Sequence, residues 1–252
     1  MNLLFYKEGF SYCVDNNNDK RPKVTDFKVS GFADWEDEIC KELELNLSLR
    51  RNFKSVRVCF ISSFFSVVPQ GFMEDEAETL LNFAEAEFDD NILLKSETVF
   101  DAAIFYGTSR KLIEKLKELY SSVIFCHSGQ IFLDSLQTEK DEKLHLNLNH
   151  HNLEIAVTNS DKLIFYNLFD TPTGEDILFY TLFAMEQLGL DSNKIEIKTY
   201  GELLANTKVY QLLKKYVRHV NQALKDEFFL NNFTLYNLTK CELSQVPSKE
   251  EE

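Results

Sequence analysis

Cys126-His127 sets a thiol beside an imidazole, the residue types of a nucleophile and its base. Adjacent residues of a strand point to opposite faces, so the two cannot serve each other. Cys126 reads instead as a small buried hydrophobe. His145, His150 and His151 invite a metal reading. Strand alternation with an intervening turn keeps three such rings from converging, and no carboxylate stands near in sequence to orient them, so no metal is expected. Gly107-Thr108-Ser109-Arg110-Lys111 could draw an anion to a helix N-terminus. It lacks the full glycine-rich phosphate loop, and Ser109 as a plain N-cap is the favoured reading. The carboxylate clusters at 34–38, 74–78 and 85–90 lie at helix ends or on exposed faces, and nothing marks a pair of them as an acid and a base. No catalytic residue is assigned, and the chain leans away from being an enzyme.

The elements that must position these residues follow from apolar spacing. Residues 3–7, 10–15 and 24–29 read as three strands. Asn16 to Asp19 forms a loop between the last two, because Asn and Asp bond their own backbone. Asp34 opens a helix whose buried stripe is Ile39, Leu43 and Leu47. Residues 56–61 form a near-continuous apolar run, as in a strand covered on both faces. A helix over 76–87, a strand over 100–106 and a helix after Ser109 follow. Val123 to Cys126 is a short strand and 129–136 a short helix.

The polar stretch 138–142 then precedes a second round. Leu144, Leu146 and Leu148 alternate with His145, Asn147 and Asn149, giving one apolar and one polar face. Strands at 153–158 and 163–169 complete a meander. Thr173 and Asp176 resemble a capping box opening a helix that Gly189 ends. That helix is apolar most of the way round, which predicts burial on both sides. A strand over 195–199, an amphipathic helix over 202–217 and a helical stretch over 228–238 close the pattern. The repeat is β-β-β-α-β-α, twice, in the α/β class with mixed sheets. The lobes are expected over 1–122 and 123–247, with 248–252 as a disordered tail.

Composition bounds the function. The 252 residues are 44% hydrophobic and include 22 Phe and 10 Tyr, enough for a real core. A net charge of −14 repels phosphate backbones and anionic headgroups, so neither nucleic acid nor membrane insertion is expected. Lys208, Lys214, Lys215, Arg218 and Lys225 read as the solvated face of a helix. Five cysteines with no Cys-x-x-Cys point to reduced thiols and a cytoplasmic setting.

The layout and the stretch from Val123 to Leu190 resemble the second lobe of the actin-like ATPase superfamily, nearest in style to its pilus-assembly and cell-division members. The marks are residues 123–134, the hairpin strands, and 166–176 leading into the helix. Nearly the whole chain is similar to a bacterial family found in Bacteroidetes, domain of unknown function 3822. The matching pieces are 65–69, 100–106, 166–189 and 233–241. The resemblance implies an actin-like (ribonuclease H-like) fold and carries no established activity.

Actin-like ATPases hold phosphates with one hairpin turn per lobe, each bearing Asp-x-Gly, and hold the adenosine with a glycine-paired loop. Here the first hairpin is Lys7-Glu8-Gly9-Phe10-Ser11, with acid and Gly in the wrong order. The second is Asn149-His150-His151-Asn152, with neither. The adenosine loop is reduced to Thr199-Tyr200-Gly201-Glu202. The resemblance places Glu8, Gly9, Ser11, Asn149, His150 and Gly201 at a nucleotide only if nucleotide binding is retained. No cofactor is expected, with ATP and Mg²⁺ as the alternative. The leading expectation is a non-catalytic scaffold acting through a protein partner, its oligomeric state left open. The alternative is a divergent ATP-binding or ATP-hydrolysing member.

Overall fold

The computed structural model describes residues 1–14, 21–31, 35–71, 91–136 and 139–239. The loop at 16–19, Asp34, the helix expected over 76–87, and the tail lie outside them. The chain divides into two compact units. One holds Met1–Glu97, Asp101–Gln130 and Leu238, the other Thr98–Phe100 and Ile131–Asn237.

Unit 1 is built on a five-stranded mixed sheet. Its strands are β1 (Asn2–Tyr6), β2 (Gly9–Cys13), β3 (Val24–Lys28), β4 (Val56–Phe60) and β8 (Val123–His127), in the order β3-β2-β1-β4-β8. β1, β2 and β3 form an antiparallel meander, and β1-β4 and β4-β8 are parallel. Helices α1 (Trp35–Leu45) and α2 (Arg110–Leu119) bury Ile39, Leu43, Leu112, Ile113 and Leu116 against Leu3, Phe5, Phe10, Val58 and Phe60. Phe5 packs on Phe10 and Phe60 at 5.2 and 5.4 Å between ring centroids, so aromatic contacts add to simple area burial. Ser109 caps α2, its hydroxyl accepting from the Leu112 N–H at 3.2 Å. Leu47, expected in the buried stripe, is exposed because α1 stops at Leu45.

Between β4 and α2 the repeat is interrupted. β5 (Phe65–Pro69), β6 (Asn91–Glu97) and β7 (Ala102–Ser109) form a separate antiparallel sheet in the order β5-β7-β6. Gly107, expected just past the end of the strand at 100–106, is inside β7. A Cβ there would lie 2.3 Å from the Phe64 ring, so the close approach of that ring requires glycine.

Unit 2 repeats the sheet without the insertion. β9 (Glu139–Asn149), β10 (Asn152–Ser160), β11 (Lys162–Asp170), β12 (Glu196–Gly201) and β13 (His219–Gln222) run in the order β11-β10-β9-β12-β13, again a meander followed by two parallel strands. Residues 139–142, read as a polar connection, are the start of β9. The expected lobe boundary at 123 falls before β8, whereas ladder pairing with β4 carries β8 into unit 1. α3 (Ser128–Asp134) opens the passage to unit 2, and α6 (Glu227–Asn231) and α7 (Phe233–Asn237) close it.

One face of the second sheet packs on α4 (Gly174–Gln187) and α5 (Lys208–Tyr216) through Leu144, Leu146, Ile155, Ile177, Met185 and Leu213. Thr173 and Asp176 form the expected capping box. Gly189, at φ +67°, ends α4 in a Schellman motif: its N–H donates to Glu186 O, and the Leu190 N–H to Met185 O. Burial on both sides of α4 is not what the fold provides, since Phe179 and Phe183 are 61% and 46% exposed. The helix expected from 202 begins only at Lys208, after the Thr207 cap, and β13 follows it. Among the described residues no helix is long and apolar enough to cross a membrane.

Candidate functional site

The six residues proposed for a nucleotide divide between the units, three in each. In unit 2, Asn149 and His150 stand at the β9–β10 turn and Gly201 at the end of β12. β9 and β12 are parallel neighbours, so Gly201 lies opposite Leu148 and the three gather at one end of the sheet. His150 and His151 have φ of +45° and +64°, the two left-handed central residues of a tight hairpin turn, a conformation usually given to Asn or Gly. The turn is held from both sides. The His151 carbonyl accepts from the Thr171 N–H and hydroxyl at 2.6 and 2.9 Å. The His150 N–H donates to Glu202 Oε1 at 2.9 Å, and the Glu202 N–H returns a bond to Leu148 O.

The turn N–H that a phosphate would need is therefore engaged by a carboxylate of the same chain. Gly201 has its own structural reason: at φ +65°, a Cβ would lie 2.1 Å from Leu148 O and 2.8 Å from Asn147 Oδ1. Its missing side chain lets β12 approach β9.

Unit 1 follows the same logic. Gly9 pairs with Tyr6 on one side and Lys28 on the other, and a Cβ there would lie 2.0 Å from Phe27 O. The Ser11 hydroxyl donates to Asp26 Oδ1 on β3 at 2.5 Å. Glu8 gives its carbonyl to the Val29 N–H at 2.9 Å.

Sequence reasoning missed an extended buried polar arrangement among the described residues. The polar face of β9 is buried, not solvated: His145, Asn147 and Asn149 are all closed from water. Asn147 Nδ2 donates to Glu154 Oε2 at 2.7 Å and to Thr234 Oγ1 at 3.1 Å. Asn149 Nδ2 donates to the same hydroxyl at 2.9 Å. Tyr166 donates to Glu154 Oε1 at 2.9 Å. The His145 ring bridges Tyr200 OH and Thr158 Oγ1 at 3.2 and 3.0 Å. Thr234, on α7, is one cover of this face, and Phe233 beside it packs on Tyr200 at 4.6 Å. The signal available in sequence was Glu154, one acid inside the otherwise apolar run from Leu153 to Val157.

Cys126 and His127 are both fully buried and do not serve each other. The thiol donates to Val58 O at 3.5 Å. The Gly129 N–H donates to His127 Nδ1 at 3.0 Å, so the ring proton belongs on Nε2, which donates to Ser62 O at 2.9 Å. A second ring proton would face the Gly129 N–H in a dry site. Burial holds the imidazole down to about 4, against the raising effect of the Ser62 carbonyl. Between pH 6.5 and 4 the unfolded ring binds a proton that the folded ring refuses. Stability is therefore full above about pH 6.5 and falls by about 3 kcal/mol as the pH drops to about 4. Urea unfolding at pH 7 and at pH 4.5 should show this loss in the native protein and a smaller one in His127→Gln. Equal losses in the two would contradict it. Among the described residues no group of three or more His, Cys, Asp or Glu could hold a metal ion.

The duplicated meander-and-crossover sheets define the actin-like ATPase fold. A Bacteroides thetaiotaomicron protein with an actin-like ATPase fold and unknown function superposes with a TM-score of 0.81 at 19% identity, covering 96% of this chain and 95% of that one. The PilM-PilN type IV pilus biogenesis complex contains a chain that matches with a TM-score of 0.62 at 9% identity, over 94% of this chain and 95% of that one. The chain belongs to the family described as Protein of unknown function (DUF3822), whose model matches residues 1–220. No curated protein sequence matches it.

Proposed function

We propose that this chain is a non-catalytic member of the actin-like fold that works by binding another protein rather than by turning over a nucleotide. The observation that carries the reading is the Glu202 carboxylate on the His150 N–H. In this fold the second hairpin turn is where backbone N–H groups would meet phosphate, and here the donor is taken and a negative charge stands beside it. Gly9 and Gly201 serve strand packing, and the Ser11 hydroxyl is held by Asp26. These residues do not fit ATP and Mg²⁺. In support of a protein-binding role, the matching PilM chain was solved in a complex with PilN.

The test is a calorimetric titration with Mg-ATP, paired with a thermal-shift assay. Neither heat of binding nor a rise in Tm is expected at micromolar nucleotide. A micromolar Kd with a matching Tm increase would overturn the reading in favour of a divergent nucleotide-binding member.

A further inference from the structure

α5 carries a charge pattern that helix stability does not explain. From Leu203 to Lys225 the chain has no acidic residue and five Lys or Arg residues, within a protein of net charge −14. Lys208, Lys214 and Lys215 on α5, and Arg218 just beyond it, are all exposed. Lys214 and Lys215 sit in the last turn, where the negative end of the helix favours cations. Lys208 stands in the first turn, where the same dipole opposes it, and that turn has no acid to compensate. In α2 the first-turn Lys111 is answered by Asp37 at 2.5 Å. Among the described residues no carboxylate pairs with Lys208, Lys214, Lys215 or Arg218.

An apolar ridge runs alongside. α4 and α5 lie on the same face of the second sheet, and their first turns touch: a Cβ on Gly174 would meet Val209 at 3.5 Å. α4 turns Phe179 and Phe183 outward, stacked at 6.0 Å between ring centroids. Four residues apart, they share one side of the helix. On α5, exposed Lys208, Gln211 and Lys215 follow one another at helical spacing and form one outward row. The outer surface of this helix layer is therefore aromatic along α4 and cationic along α5.

We infer that this surface docks an acidic amphipathic segment of a partner protein, its apolar side chains on Phe179 and Phe183 and its carboxylates on Lys208 and Lys215. This partner chemistry rests on the protein-binding role proposed above. Charge selects the occupant. The cationic row is short, about 10 Å from Lys208 to Lys215 at the helical rise, so a short acidic segment covers it alone. An anionic bilayer or a nucleic-acid duplex extends well beyond the row and meets the acid-rich remainder of the surface, which repels it. A symmetric dimer through this face would set lysine against lysine. Glu175 and Glu186 are exposed on α4, before and after the Phe pair, so the carboxylates of the occupant belong on the α5 side.

The probe is a fluorescein-labelled peptide with Leu and Phe at i, i+3, i+4 and i+7 and Glu elsewhere. Anisotropy should show it binding the full chain, more weakly as salt is raised. The same peptide with Lys in place of Glu should not bind. Lys208→Glu combined with Lys215→Glu should weaken binding roughly tenfold, the loss of two exposed ion pairs. Phe179→Ser combined with Phe183→Ser should weaken it at least as much. Lys208→Glu puts an anion at the positive end of α5, so Tm should hold or rise while binding falls, the opposite of what a purely structural lysine would give. No binding of the acidic peptide, or binding indifferent to the lysine swaps, would overturn the inference. Equal binding of phosphatidylserine vesicles would overturn it too and assign the surface to a membrane. The two titrations fail separately: Mg-ATP reads the hairpin turns, and the peptide reads the helix layer.

Discussion

Gly201→Ala should destabilise unit 2 by about 4 kcal/mol, near the upper end for a single substitution. Two effects add at this position. The backbone is at φ +65°, where a Cβ costs about 1 kcal/mol or somewhat more. The new methyl carbon would also begin 2.1 Å from Leu148 O, which must retreat by more than an ångström. Leu148 O is not free to retreat, because it accepts from the Glu202 N–H at 2.9 Å within the β9–β12 ladder. Gly189 separates the two effects. Its φ of +67° is nearly the same, and nothing lies within 4 Å of where its Cβ would be. Gly189→Ala should therefore cost only about 1 kcal/mol, the dihedral part alone. Urea midpoints for the two variants measure the difference. Similar losses would mean that the strands part at little cost.

Asn147→Asp should cost about as much, roughly 4 kcal/mol at neutral pH. The amide nitrogen of Asn147 stands 2.7 Å from Glu154 Oε2 in a site closed to water, so the substitution sets one carboxylate oxygen against another. The remaining oxygen has no help nearby, since Asn147 Oδ1 already has no hydrogen-bond partner among the described residues. Two such carboxyls cannot both ionise in a dry site and would share a proton, which raises the folded-state titration of the pair. The folded variant then holds a proton that the unfolded chain releases above about pH 4, so its stability falls as the pH rises through that point. Unfolding the variant and the native protein at pH 4.5 and pH 7.5 gives the comparison. A deficit that shrinks at the lower pH is the expected result, and a deficit independent of pH would sink the account.

Local chemistry made much of unit 2 legible. Alternation from Leu144 to Asn149 gave the first strand, Thr173 and Asp176 the helix cap, and Gly189 the helix end. Each is a short-range rule acting within a few residues. What escaped depends on distance. The polar side of β9 looks solvated until Thr234, 87 residues from Asn147, lies over it. The Glu202 side chain gave no sign that it would reach back 52 residues to the His150 N–H. β13, with its polar sequence His219-Val-Asn-Gln222, shows no apolar alternation and is a strand only because β12 pairs with it. α4 erred the other way: an all-round apolar helix was expected to be buried, and Phe179 and Phe183 face outward. For the candidate site, the lack of Asp and Gly in the second turn was readable, but its closure by Glu202 was not.

The way the chain is shared between the units bears on the order in which they can form. Thr98–Phe100 lies between two stretches of unit 1 yet belongs to unit 2, where the Val99 N–H donates to Asp134 Oδ1 at 2.9 Å. Leu238 returns to unit 1 after unit 2 is complete. β1 cannot gain its full sheet until β4 and then β8 have been synthesised, so this sheet closes over more than a hundred residues. A growing chain would thus hold an apolar, half-paired meander for a long interval, the arrangement that folds slowly. The meander of unit 2, by contrast, is continuous from Glu139 to Asp170 and can form as soon as it is made. The sheet of unit 2 closes over the shorter span of chain, from Glu139 to Gln222.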